Sequence, residues 1–235
     1  MQQWFRRRWA AACRDTIGSE TFWAIAVDHA AIRRSLSPLI ERYANGCVLD
    51  AGAGRLAWQA MLTERATMLL STDAASTHPR LSFVCDLTAG IPLRDGSLDT
   101  IFCCSVIEHT AEPWRLLPEF RRVLRPGGHV ILSAPFLYYL HGTPQDYFRF
   151  TAYGVRRLAE RAGLDVVELS TSGGLCHALS HAASMLVAAL LWTPRAPFLV
   201  TAPARALFAA ARLIDGCDRQ GLFGQTVNAV LRAPV

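Results

Sequence analysis

Three aspartates stand where short apolar runs end: Asp50, Asp73 and Asp86. The first is followed at once by a glycine turn, Gly52-Ala-Gly54-Arg-Leu-Ala57. Such a turn exposes backbone N–H groups and lets a ligand approach the chain closely, and an acid about 20 residues further on suits ribose hydroxyls. The pattern fits the G-x-G-x-x-A form of the dinucleotide fingerprint. A pyrophosphate on that turn would nevertheless meet Asp50, and two anions in a poorly solvated crevice repel by something on the order of several kcal/mol. S-adenosylmethionine has no phosphate and brings an ammonium and a sulfonium. An acid before the glycines attracts this cofactor and opposes a dinucleotide.

Acids placed this way need a parallel sheet to hold them. Residues 47–50, 68–73, 82–86, 98–106, 129–136 and 166–170 are short apolar runs that alternate with helical patterns, which is the signature of parallel strands joined by crossover helices. Charged groups do not belong inside a strand buried on both faces, so the three aspartates are expected at the carboxyl edge of the sheet, where open α/β folds bind ligands. Before the sheet, 21–31 and 32–43 show helical spacing. After it, 175–192 and 197–215 are two apolar helices separated by Pro194 and Pro197, and 226–232 returns as a last strand. The 235 residues suffice for one domain: a helical cap (1–45), a cofactor-binding core (46–172), a helical insertion (173–222) and a final strand (223–235).

Residues 47–169 contain "VLDAGAG", "STDAA", "FVCDLTAGIPLRDGSLDTIFCCSVIEHT" and "EFRRVLRPGGHVILSAPF" in that order. This series resembles the class I S-adenosylmethionine-dependent methyltransferases, in particular their small-molecule group, type 11 or ubiquinone-biosynthesis-like. The resemblance implies an α/β, Rossmann-like fold with a seven-stranded, mostly parallel sheet flanked by helices. It implies that Asp50 and the backbone of Ala51, Gly52 and Gly54 face the methionine moiety. Asp73, with Ala74 beside it, would bind the ribose, and Asp86 with Leu87 would meet the adenine. Cys104 and Ser105 would border the cofactor, and His109 would close the crevice near the methyl. Two departures are visible: Leu56 replaces a third glycine often found in the first motif, which makes Arg55 and Leu56 doubtful contacts, and Pro118 predicts a kink or a late start in the helix leading to Arg125.

The stretch 135–154 packs seven aromatic residues around His141, Asp146 and Arg149. In this fold it follows the fifth strand and lies over the carboxyl edge, so Tyr138, Tyr139, His141, Asp146, Tyr147 and Arg149 are expected to form the acceptor pocket. Its phrase His-Gly-x-Pro-x-Asp-Tyr-Phe-Arg-Phe-Thr resembles a subgroup met among polysaccharide and secondary-metabolite enzymes, and a lipid-related acceptor is equally compatible. Thr151 is a good N-cap for a helix over 152–162. Methyl transfer is an in-line displacement that depends mainly on holding a nucleophile at roughly 3 to 3.5 Å in a dry pocket. A hydroxyl or amine acceptor gains from a base with a pKa near 7, for which His141 and His109 are the candidates, His141 first. A catalytically silent subunit or scaffold of the same fold is the alternative from another class.

Composition narrows the partners. All 24 basic residues are arginine, and no block of five like charges occurs, so the net charge of +5 does not call for nucleic acid. Seven cysteines without a C-x-x-C pair point to reduced thiols and a cytoplasmic location, and the basic N-terminus lacks the apolar core of a signal peptide. His177 and His181 have a metal-binding spacing but no third ligand nearby, so no metal is expected. The dense apolar part of the helix over 175–192 is too short to cross a bilayer. Packing on the core, a homodimer interface or peripheral membrane contact through 173–215 are the roles open to that helical pair.

Overall fold

The computed structural model describes residues 2–216 and 222–235. Its seven strands are β1 (Cys47–Ala51), β2 (Met68–Asp73), β3 (Phe83–Val84), β4 (Leu98–Cys104), β5 (Leu124–Pro135), β6 (Asp165–Ser172) and β7 (Thr226–Arg232). They form one sheet in the order β3-β2-β1-β4-β5-β7-β6, the doubly wound arrangement expected from the alternating runs. The pairs β1 with β2, β1 with β4, β2 with β3 and β4 with β5 are parallel, and β5 with β7 is antiparallel.

The helices are α1 (Gln2–Thr16), α2 (Val27–Tyr43), α3 (Gln59–Thr63), α4 (Pro113–Val123), α5 (Ala152–Arg161), α6 (Leu175–Leu191) and α7 (Phe198–Asp215). Two compact units are distinguished, one of Leu36–Thr171 with Thr226–Val235, the other of Met1–Ser35 with Ser172–Gln225.

The sheet belongs to the first unit. Its central strands are mostly apolar because both faces are covered, with Asp50 the buried exception in β1. Leu49, Ile101, Val130 and Leu132 share a core with Leu116, Leu117, Phe120 and Val123, the apolar stripe of α4. That helix starts at Pro113, and Pro118 lies on its exposed side, where one missing backbone N–H costs least; the late start does not occur. Two further differences have local causes. The Arg125-Pro-Gly-Gly128 segment does not precede β5 but lies within it, absorbed by a register shift against β4 between Leu98 and Thr100. The helical patterns over 21–31 and 32–43 are one helix, α2, preceded by a 3-10 turn at Phe22–Ala24, because no glycine or proline interrupts the chain at residue 31.

Much of the motif "IPLRDGSLD" is structural. Arg122 donates to the carbonyls of Ile91 and Leu93 at 2.9 and 3.0 Å and pairs with Asp95 and Glu119. Asp99 accepts from Cys47 N at 2.7 Å and pairs with Arg125.

In the second unit, Ala12, Ile25, Ala26, Ala188, Trp192 and Val200 make a separate core. Arg8 donates to the carbonyls of Ala189 and Trp192 at the end of α6. Asp215 accepts from Cys176 N and His177 N at the start of α6 and holds the His177 ring, so that ring serves the cap. No helix of the described residues is long and apolar enough to cross a membrane.

Candidate functional site

The site is built at the carboxyl ends of the parallel strands. After β1 the chain reverses: Gly52 N and Ala53 N both donate to Thr72 O of β2, at 2.9 and 2.8 Å. Gly52 has φ +80°, and a Cβ there would lie 2.2 Å from Val106 Cγ2, so only glycine fits. Gly54, at φ +53°, donates its N–H to Asp73 Oδ2 at 2.8 Å, and no heavy atom stands within 4 Å of where its Cβ would be. Leu56, where the motif often has a third glycine, stands at φ +64°, a conformation costing a non-glycine residue on the order of 1 kcal/mol. Ser105, just past β4, is likewise at φ +56° and donates its N–H to Ser133 O.

Gly52, Gly54, Asp73, Ala74, Asp86 and Leu87, together with Ser105, Val106, His109 and Tyr147, line a cleft of about 500 Å³. Asp86 accepts from the N–H and hydroxyl of Thr88 at 2.8 and 2.7 Å, and these bonds hold its carboxyl below the usual carboxylate range. Thr88, Thr110 and Ala111 also line the cleft. None of the three was anticipated, although Asp-x-Thr at 86–88 is a turn signal that marks Thr88.

Asp50, Ala51 and Cys104 are not among the lining residues. Asp50 is 3% exposed, and burial, aided by the negative charge of Asp73, pushes its carboxyl up from 3.8 to about 7. The acids that meet a ligand here are Asp73 and Asp86.

The stretch after β5 folds back on the 3-10 turn Ile107–His109. Tyr147 N and Phe148 N donate to Glu108 O at 2.9 and 3.2 Å, and Phe150 N closes the loop onto Pro135 O at 2.8 Å. Inside it, Arg149 grips Asp146 with two bonds of 2.6 and 2.8 Å and donates to the carbonyls of Tyr138, Tyr139 and Phe148. The Asp146 carboxyl is 1% exposed, is held well below its ordinary range chiefly by Arg149, and accepts His141 N at 2.7 Å. Asp146 and Arg149 therefore organise the loop rather than face the cleft. Tyr138 and Tyr139 stack on each other at 4.6 Å and flank His141, while Tyr147 reaches the cleft. Thr151 Oγ1 accepts Gly154 N at 3.0 Å and caps α5 as its position predicts.

Beneath the loop, Glu108 is wholly buried, and neither carboxylate oxygen is hydrogen-bonded. Its Oε1 lies 3.4 Å from His141 Nε2 and 3.7 Å from His109 Nε2, and the two rings meet edge to face at 4.8 Å. Burial alone would lower the pKa of His141; the close approach of Glu108, with the Tyr139 carbonyl and Asp146 adding to it, outweighs burial, and the net shift is upward.

Residues 47–132 match the family model described as a methyltransferase domain. An uncharacterised methyltransferase of Mycolicibacterium gilvum is 36% identical over 99 residues, 38% of this chain and 39% of that protein. The chain covers less than two fifths of the length of the first curated relatives it matches. Among solved structures, an S-adenosylmethionine-dependent methyltransferase of Archaeoglobus fulgidus has a TM-score of 0.58 at 15% identity, over 86% of this chain and 92% of that one. The [4+2]-cyclase SpnF reaches 0.60 at 17% identity, over 86% and 81%. The strand order and the matched segment agree: residues 47–132 are similar to a methyltransferase domain, and the chain shares the fold of S-adenosylmethionine-dependent methyltransferases.

Proposed function

We propose that this chain transfers the methyl group of S-adenosylmethionine to a small-molecule acceptor that enters beside His109 and Tyr147. The observation carrying this reading is the pairing of a glycine cradle with two acids in one cleft, Asp73 and Asp86. The donor set fits the cofactor: Asp73 offers acceptors to two ribose hydroxyls, Asp86 offers one to an amino group, and Gly54 leaves open space above the turn.

When bound, the cofactor supplies an electrophilic methyl on a sulfonium. The protein's own residues do the rest. Asp73 fixes the ribose, and the Gly52–Gly54 backbone takes the methionine moiety. Ser105 and Val106, held by the bond from Ser105 N to Ser133 O, shape the wall beside the glycine turn. His109 faces the cleft and His141 stands against it, so these two are the groups placed to handle an acceptor's proton. Tyr138, Tyr139 and Tyr147 form the aromatic border of the acceptor side. The likeness of this loop to polysaccharide and secondary-metabolite methyltransferases supports an acceptor from such biosynthesis or from a lipid-related one. The cysteine pattern of the sequence, without a C-x-x-C pair, supports a reducing compartment such as the cytoplasm.

Substituting Asp73 by alanine tests the reading. It removes the acceptor for Gly54 N and for the ribose together, and affinity for S-adenosylhomocysteine is expected to fall by about 1 to 3 kcal/mol, measured by isothermal titration. Unchanged affinity would refute the ribose assignment.

A further inference from the structure

The triad Glu108, His109 and His141 presents three hydrogen-bond acceptors to one another. His109 Nδ1 lies 2.6 Å from the carbonyl of Gln145, and His141 Nδ1 lies 3.2 Å from that of Tyr139. A carbonyl only accepts, so in each neutral ring the proton sits on Nδ1, and Nε2 carries a bare lone pair. Both Nε2 atoms approach the same oxygen of Glu108, a fully buried carboxylate without a hydrogen bond. Two ring nitrogens converging on one oxygen of a buried carboxyl group leave a place among them for a positive centre, a metal ion or a proton.

We propose that Glu108, His109 and His141 form a binding site for a divalent transition-metal cation at the edge of the cofactor cleft. Three lines of geometry favour a metal. The candidate ligand atoms all lie within 4.8 Å of one another, and the two contacts with Glu108, at 3.4 and 3.7 Å, approach the roughly 3.3 Å that separates ligands in a tetrahedral shell with bonds of about 2.0 Å. Each histidine is oriented through its far nitrogen, as metal-bound imidazoles are, and Asp146 stands 3.6 Å from His141 Nδ1, itself gripped by Arg149. Gly142, at φ +62°, admits the His109 ring, because a Cβ there would come within 2.5 Å of His109 Cε1. The His-Gly-x-Pro-x-Asp-x-x-Arg phrase thus acquires a single purpose: a ligand, the space for a second ligand, and the ion pair that orients the first. Two imidazoles and one carboxylate, with positions left open, suit Zn²⁺, Fe²⁺, Mn²⁺ or Co²⁺ rather than Ca²⁺ or Mg²⁺.

The site deepens the methyl-transfer reading and rests on it only for its use. A cation there takes an acceptor oxygen as a further ligand and lowers that oxygen's pKa, its proton leaving to solvent, so the histidines act through the metal instead of as free bases. A proton shared between one Nε2 and Glu108 is the competing occupant.

Co²⁺ titrated into chelator-stripped full-length protein separates them, because its visible absorption reports imidazole and carboxylate ligation and distinguishes it from binding by cysteine thiolates. The expected result is one equivalent bound with a nitrogen and oxygen spectrum, and a dissociation constant raised at least about tenfold in both Glu108→Gln and His141→Ala. Affinity for S-adenosylhomocysteine, measured on the same samples, is expected to stay within about twofold. His141 is on a surface loop, so its variant remains informative if Glu108→Gln fails to fold. No stoichiometric binding, or binding that neither substitution weakens, overturns the proposal. One-equivalent Co²⁺ binding in a protein that ignores S-adenosylhomocysteine supports the cation site and counts against methyl transfer alone.

Discussion

Substitution of Gly52 by alanine is expected to lower affinity for S-adenosylhomocysteine by two orders of magnitude or more and to lower the melting temperature with it. Two costs combine. An alanine held at φ +80° loses about 1 kcal/mol or more, since a Cβ in that region crowds the following carbonyl. That Cβ would also stand 2.2 Å from Val106 Cγ2, and overpacking of this kind costs about 1 to 3 kcal/mol. Because Val106 lines the cleft, the relief of the clash displaces a wall of the binding site. Gly54→Ala is the internal comparison: with open space at its Cβ, only the backbone cost applies. Isothermal titration and thermal melting of both variants measure the contrast. A Gly52→Ala protein that binds like wild type would show that the turn is not the cradle.

The second large effect is on stability against pH. Asp50 titrates near 7 in the folded protein and near 3.8 when unfolded, so between those values the folded state keeps a proton that the unfolded state has lost. Stability is therefore expected to fall as pH rises from about 4 to about 7, by up to about 4 kcal/mol at roughly 1.4 kcal/mol per pKa unit. Asp50→Asn, which carries no charge to bury, is expected to remove this slope and to be more stable than wild type at pH 8. Urea unfolding at several pH values measures it. Parallel pH profiles in the two proteins would show that Asp50 is not the buried acid responsible. A cationic ligand next to β1 favours the ionised carboxylate, which gives the residue a functional reason to be kept despite its cost.

What the sequence disclosed and what it hid follow from the range of the interactions involved. A charge at the end of an apolar run is a local signal, and β2 and β7 accordingly run over the residues expected, 68–73 and 226–232. The cap at Thr151 was legible for the same reason, as was the arrival of Asp73 and Asp86 at one cleft. Asp50 was legible as an acid before a glycine turn, but its 3% exposure depends on strands β2 and β4 packing either side of β1, which no window of sequence contains. The early start of β5 was hidden because Pro126-Gly-Gly reads as a turn until the bulge against β4 is seen. Glu108 gave no signal of its own. It sits in a 3-10 turn between Ile107 and His109, and its partner His141 reaches it only through a loop folded back from the far end of β5.

The electrostatic argument at the cleft is tested most directly by titrating S-adenosylmethionine and NAD⁺ separately into the purified protein. Saturable one-to-one binding of S-adenosylmethionine, with no heat from NAD⁺, is the predicted result. Uptake of NAD⁺ in preference to the sulfonium cofactor would contradict it.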